Sequence, residues 1–377
     1  MYTTDIPSLC SARGWSRARL IAELRRAAGS RQITLPADAS LKRMVREWAN
    51  GRRGLSDFYA SLLSATLGVS FTEGRGGSTV DDSDDGQQDE LAQRLNTAAA
   101  VDGDLVRRLE DQTQGFRLLD RRLGARRLLQ QTELHLDQIT DLLDYCVANG
   151  HRANLAAAAA ETAALAGWQA LDLGDPSKTW QHHETAKTTA RQSDNLTILA
   201  HVTAQQGYAL LDLQRGKQAV SLMRHAREQV ATAAPALLRA WLWAAEGESL
   251  ASIGEAAASR KALDESLRLL PAESADPELP FIVLNEGHLS RWRGHCLARL
   301  GAREAVEELT AAIASHDTDF TRAAASLHCD LALAHSVRGD HELARAEALR
   351  SADLADQSSS VRQRRRLKQL LTSGEEQ

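Results

Sequence analysis

The chain has few of the residues that break helices and few of those that favour strands. Seven prolines are spread over 377 residues, and aromatic side chains make up only 4%. Alanine fills 63 positions. A chain rich in alanine, poor in proline and with few β-branched runs favours helix along nearly its whole length. Four cysteines, Cys10, Cys146, Cys296 and Cys329, are scattered without a CxxC pair, which argues against a disulfide framework or a zinc knuckle. Long apolar runs are missing too: the longest candidate, Ala153–Ala166, is interrupted by Asn154 and Glu161. The first ten residues have no basic patch followed by an apolar core, so no secretory leader is expected. A reduced, cytoplasmic protein without a membrane partner is the expectation.

The motifs of catalysis are also lacking. There is no P-loop, no GxSxG and no GxGxxG after a strand. His182-His183-Glu184 leads to Lys187 rather than to a second metal ligand. His288 and His295, like His328 and His335, stand seven apart, whereas helical metal sites use pairs three or four apart with a carboxylate. No enzymatic activity, cofactor or metal is expected.

What is present is an uneven distribution of charge. The net charge is −5, yet residues 1–72 carry +6, residues 73–90 carry −6 and residues 91–377 carry −5. A basic head, an acidic spacer and a mildly acidic body suggest a polyanion-binding module on a larger body. The spacer, EGRGGSTVDDSDDGQQDE, has almost nothing to bury and reads as a flexible, self-repelling tether.

Four short helices can be read in the head. Asp5–Ala12 has Ile6, Leu9 and Cys10 on one side. Ser16 caps a second helix with the stripe Leu20, Ile21 and Leu24. After a long turn, Ser40 caps a third, where Leu41, Met44, Val45 and Trp48 recur at helical spacing until Gly51. Ser56 caps a fourth, with Phe58, Leu62, Leu63 and Leu67 inward. The opposite face of helix three carries Ser40, Lys42, Arg43, Arg46 and Asn50, with Arg52 and Arg53 just beyond. A short helix buried on one side and set with arginines and polar donors on the other suits a major groove of double-stranded DNA.

The strings RGWSRARLIAEL, SLKRMVREWANGRR and LLSATLGVS resemble the XRE (Cro-type repressor) helix-turn-helix over about residues 5–70. The resemblance implies that Lys42, Arg43 and Arg46 reach base edges or phosphates, with Ser40 at the helix start, and that Arg17, Arg52 and Arg53 hold phosphates. This chain departs from the family in an expanded turn before helix three and in Ala49, where the family usually has Glu.

The body repeats. GWQALDLG at Gly167, GYALLDLQRG at Gly207, GESLASIG at Gly247 and GHCLARLG at Gly294 recur at spacings near 40, and a fifth copy begins at Asp330. A period near 40, with a small residue inside one helix and a turn glycine seven residues on, is the mark of a helical-hairpin solenoid. It resembles the tetratricopeptide repeat, most closely at Gly339-Asp340 with Ala344 and Ala348. Residues 91–149 carry the stripe Phe116, Leu119, Leu123, Leu128, Leu129, Leu136, Ile139, Leu142 and Leu143, read as a capping hairpin or a dimerisation helix. The whole resembles helix-turn-helix/tetratricopeptide regulators of actinobacterial type and, more distantly, the peptide-receptor regulators of Gram-positive quorum sensing. Arginine outnumbers lysine 39 to 6, in keeping with a GC-rich genome.

In the tetratricopeptide pattern the concave face takes the positions six before, one after and five after the small residue. Here these are Glu161, His201, Trp241 and His288, then Trp168, Tyr208, Glu248 and His295, then Asp172, Asp212, Ser252 and Arg299, with Arg291 close by. Aromatics beside carboxylates, histidines and arginines suit a peptide or small polar effector, though each aromatic suits packing between hairpins equally well. The final basic run, VRQRRRLKQLL, reads as a capping helix whose cations complement its C-terminal dipole.

Together these features predict an all-α chain: a small N-terminal helix-turn-helix domain (1–72), a flexible acidic linker (73–90) and a C-terminal, TPR-like α-solenoid (91–377). The function expected is DNA-binding transcriptional regulation as a homodimer, with a peptide, small-molecule or protein partner on the repeats. A repeat adaptor with no direct DNA role is the alternative.

Overall fold

The computed structural model describes residues 6–29, 35–36, 38–49, 57–67, 69, 82–147, 150–273, 276–315 and 320–374. Among these residues every regular element is a helix, and no strand occurs. The chain divides into two compact units, residues 1–83 and 84–377.

The first unit holds α1 (Ile6–Ala12), α2 (Arg17–Gly29), α3 (Asp38–Ala49) and α4 (Asp57–Leu67). Their apolar stripes meet in one core that includes Ile6, Leu20, Leu24, Leu41, Trp48 and Leu63. Ser16 caps α2 as expected, its hydroxyl accepting from the Arg19 N–H at 3.2 Å. Arg13 donates to the carbonyls of Leu9 and Leu67, tying the end of α1 to the end of α4, and Gly14 (φ +63°) supplies the left-handed turn. Helix three begins at Asp38, so Ser40 lies inside its first turn and is not its cap; the chain becomes helical almost as soon as it leaves Pro36. Ser56 and the side chain of Phe58 lie outside the described residues.

Part of the segment expected to be a tether is helical. Residues 73–81 are outside the described part, but from Asp82 the chain is helical in α5 (Asp82–Ala99). Acidic residues at a helix start complement its dipole, so a polar, acidic run can still nucleate one. Arg94 anchors α5 to the body, donating to the Tyr145 hydroxyl at 3.1 Å.

The body continues with α6 (Gly103–Leu123), α7 (Leu129–Tyr145), α8 (Arg152–Asp172), α9 (Pro176–Gln192), α10 (Leu196–Asp212) and α11 (Gly216–Val230). It ends with α12 (Ala236–Ser252), α13 (Ala256–Leu269), α14 (Glu286–Arg299), α15 (Ala305–Ala314), α16 (Thr321–Arg338), α17 (His341–Gln357) and α18 (Val361–Gly374). From α8 to α17 the helices pair as antiparallel hairpins, and the first helices of successive hairpins, α8, α10, α12, α14 and α16, stack side by side.

The repeated small residue is where the two helices of a hairpin meet. A Cβ on Gly207 would lie 2.7 Å from Met223, and one on Gly294 would lie 2.7 Å from Leu309. Gly174, Gly254, Gly301 and Gly339 take the left-handed turn between the two helices, and in the second hairpin Gln214 takes it instead at φ +58°. Counting seven back from Gly339 gives Ala332, fully buried, as the fifth small residue. The repeat register at Asp330 is thus two residues early.

Two parts of the stripe over residues 91–149 do not face inward. Leu119 and Leu123 are exposed, and Arg117 and Asp120 are buried in their place. The reason is that α6 packs on α16 as well as on α8, and between them lies a polar interior. The last repeats return to the first: Gly124 (φ +77°, ψ 163°), after α6, touches the Ser358 carbonyl between α17 and α18.

A Cβ at Gly124 would sit 2.1 Å from that carbonyl, in a backbone region closed to other residues. Gly124→Ala is therefore expected to cost at least about 2 kcal/mol, from backbone strain and overpacking together. Gly254→Ala meets nothing within 4 Å and should cost only about 1–2 kcal/mol, from the left-handed backbone alone. Urea denaturation of the two variants checks the order.

Candidate functional site

In the first unit α3 has two contrasting faces. Leu41, Met44, Val45 and Trp48 are buried, the Trp48 ring lying 4.8 Å from that of Tyr59, whereas Lys42 and Arg46 are exposed. Arg17 is exposed at the start of α2. The side chains of Ser40 and Arg43, and the whole of Arg52 and Arg53, lie outside the described residues.

In the body the stacked first helices curve around one cavity of about 840 Å³. The first set of concave positions, Glu161, His201, Trp241 and His288, is on its wall. So is the second set, Trp168, Tyr208, Glu248 and His295, and so is the third, Asp172, Asp212, Ser252 and Arg299. Arg291 lines it as well. The spacing of the repeat thus places a wall; it does not say what the side chains do there. Tyr208 and Trp241 line the cavity and are also buried, packed between hairpins.

Much of the rest of the wall comes from α6, α16 and α18. Arg117 and Asp120 reach it from α6, Arg322 and Asp330 from α16, and Arg362 and Arg366 from α18. The basic run of α18 occupies its first turns, so its cations do not serve the C-terminal dipole. Arg362 binds Asp212 of α10, with Nε–O distances of 2.9 and 3.1 Å, and Arg366 binds Asp330. A lone signal was available in the sequence: Arg117 and Asp120 keep the helical phase of Val106, Leu109 and Thr113.

Two ion-pair clusters join distant parts of the chain. In one, Arg322 sits 2.6 Å from Asp120 and 3.5 Å from Asp172, while the Ser360 hydroxyl donates to Asp172 at 2.6 Å. Burial works against the Arg322 charge, but the two carboxylates outweigh it and raise its pKa. In the other, His295 lies between Asp330 (2.9 Å) and Glu248 (3.3 Å), and Trp292 donates to Glu248 from its ring nitrogen. Burial opposes the imidazolium here too, yet the two carboxylates raise the His295 pKa. Burial alone would raise the Glu248 carboxyl; the adjacent His295 charge reverses this and holds it at about 2.

Between the clusters runs an aromatic face. The His201 ring lies 4.8 Å from Trp241 and 4.5 Å from Phe281, and Trp241 lies 6.0 Å from Trp292. Burial, with Arg117 nearby, drives the His201 pKa down to about 3, so the ring is neutral and acts as a stacking surface. Arg322 and Arg362 both lie against the Trp168 ring, at 5.9 and 5.8 Å. His288 stands at the cavity edge, its Nδ1 2.8 Å from Asn285 Oδ1. Among the described residues no group of three or more histidine, cysteine or acidic side chains is placed to hold a metal ion. The four cysteines are buried.

No protein-family model matches this chain, and no curated protein matches it. A solved structure of a Rap protein complexed with competence and sporulation factor aligns with it at 13% identity. The alignment covers 95% of this chain and 99% of that one, with a TM-score of 0.39. That score is too low to carry an argument, and the helical-hairpin solenoid rests on the chain's own helices. No helix of the described residues is long and apolar enough to cross a membrane.

The His295 cluster makes stability depend on pH with a definite sign. A histidine whose pKa is raised on folding contributes fully below its unfolded value, about 6.5, and the contribution is lost as pH rises through the folded value. Glu248, held low, contributes above about 4.5 and loses this in acid. His295→Gln is expected to cost about 3 kcal/mol at pH 6, because two buried carboxylates lose the cation they share. The cost should shrink by pH 9, as followed by urea denaturation at both values.

Proposed function

We propose that this chain is a cytoplasmic, non-enzymatic transcriptional regulator. Its first unit is an XRE-type helix-turn-helix that binds double-stranded DNA. Its tetratricopeptide-like body holds two copies together and receives a peptide, small molecule or protein partner in the central cavity. The observation that carries the reading is the division of α3, with four apolar side chains in the core and Lys42 and Arg46 in solvent. A helix buried along one side and cationic on the other is what a major-groove reader requires. The +6 charge of residues 1–72, in a chain of net −5, supplies the phosphate attraction.

The receptor part rests on the cavity. Its volume is within the range of small-molecule sites, and its wall alternates aromatic surface with charged groups. Pairing of two heads follows from the small number of phosphates that one four-helix unit can neutralise; such heads usually read half-sites about 10 bp apart. A second reading, a repeat adaptor acting on proteins alone, is favoured by Leu118, Leu119 and Leu123, which are exposed together on α6.

Enrichment of genomic fragments on the purified full chain is expected to yield an operator. Lys42→Ala with Arg46→Ala should then weaken its binding at fixed salt, by about 1–3 kcal/mol for each side chain that reads a base. Unchanged affinity would remove α3 as the reader and leave the adaptor. Light scattering should give a dimer, and a monomer both free and on the operator would remove the pairing.

A further inference from the structure

The cavity wall is more positive than its many carboxylates suggest, because those carboxylates are already paired. Glu161 is held by Arg117 at 2.8 Å, Asp120 and Asp172 by Arg322, and Asp212 by Arg362. Glu248 and Asp330 share His295, and Asp330 also binds Arg366. Four further arginines line the same wall, Arg121 on α6, Arg291 and Arg299 on α14 and Arg365 on α18. Among the described residues Arg121, Arg299 and Arg365 have no carboxylate partner within 4.0 Å. Within a chain of net charge −5 this is a local surplus of positive charge in a concave, partly dry space.

The surplus is felt at Arg121. Burial lowers its pKa, and Arg117 and Arg322 beside it lower it further, with Asp120 the one opposing charge. An arginine in that position gains from an added anion. The second observation is the neutral stack of His201, Trp241 and Phe281, continued by Trp292, which borders the arginines and has no charge of its own to offer. Flat, polarisable rings next to cations accept a flat body carrying an acidic group.

We propose that the ligand of this cavity is a small planar anion, its carboxylate or phosphate taken by Arg121, Arg299 or Arg365 and its ring laid along the His201–Trp241–Trp292 face. This deepens the receptor reading of the cavity and rests on it, but it is independent of DNA binding. A carboxylate and a phosphate satisfy a guanidinium alike, so both are tested. The neutral partner of each acid isolates the charge.

The experiment is calorimetric titration of the full-length protein with two matched pairs, indole-3-acetate against indole-3-acetamide and adenosine 5′-monophosphate against adenosine. At least one acid is expected to bind about tenfold or more tightly than its neutral partner, and less tightly as salt is raised. Arg121→Gln and Arg365→Gln together should weaken that acid by about tenfold while leaving the neutral compound unchanged. Arg365 is exposed, so Arg365→Gln alone serves as the variant that must fold, which its thermal midpoint verifies. Which acid binds distinguishes a carboxylate from a phosphate ligand. Equal binding of acid and neutral partner overturns the proposal. So does preference for the cation tryptamine, or the failure of both acids to bind at millimolar concentration. Operator binding is measured without any of these compounds, so loss of the DNA reading leaves this result standing, and the reverse holds too.

Discussion

The buried charge of Arg322 is the constraint on which the body depends. It stands on α16, near the end of the solenoid, and its partners Asp120 and Asp172 stand on α6 and α8, near the beginning. A guanidinium removed from water must be paired, and among the described residues these first helices bring the carboxylates to it. The solenoid therefore closes on itself. Ser360 bound to Asp172, Arg362 bound to Asp212 and Gly124 against Ser358 all lie along the same seam. Without closure the stacked first helices would line an open groove; with it they border a half-open cavity.

Closure also explains why hydrophobic pattern and burial part company at α6. A helix on the outside of a hairpin stack buries its leucines. On α6 the inward side faces a polar interior instead, so Arg117 and Asp120 are buried while Leu118, Leu119 and Leu123 meet solvent. The opposite occurs in α8, where alanines and Gly167 dominate the buried face because neighbouring helices lie close on both sides. The polar interior is tolerated because its charges are matched: His295 between Glu248 and Asp330, Arg117 on Glu161 and Arg362 on Asp212.

The two units rest on different physics. The first is a conventional amphipathic assembly in which Leu41, Met44, Val45 and Trp48 are buried where a helical period places them. The second is a repeat in which each hairpin is held mainly by its neighbours, so its interior is a property of the whole array.

Much of this was legible in the sequence. The recurrence of Gly167, Gly207, Gly247 and Gly294, each followed seven residues on by a turn residue, placed the first helix of each hairpin and thereby twelve positions on the cavity wall. Such spacing is local: it depends on 3.6 residues per turn and on the absence of a Cβ where two helices cross. The start of α3, the helical half of the acidic run and the register at the degenerate fifth copy were harder to read, because helix ends turn on weak competing preferences. The partners of the charges were not legible at all. Arg322 and Asp120 are 202 residues apart, and Arg362 and Asp212 are 150 apart. Whether they meet depends on small rotations summed over five hairpins. The sequence by itself determined the repeat helices, their pairing and which of their faces look inward; only the tertiary structure decided the inward face of α6 and that the ends meet, since curvature accumulates over the array and no local pattern records it.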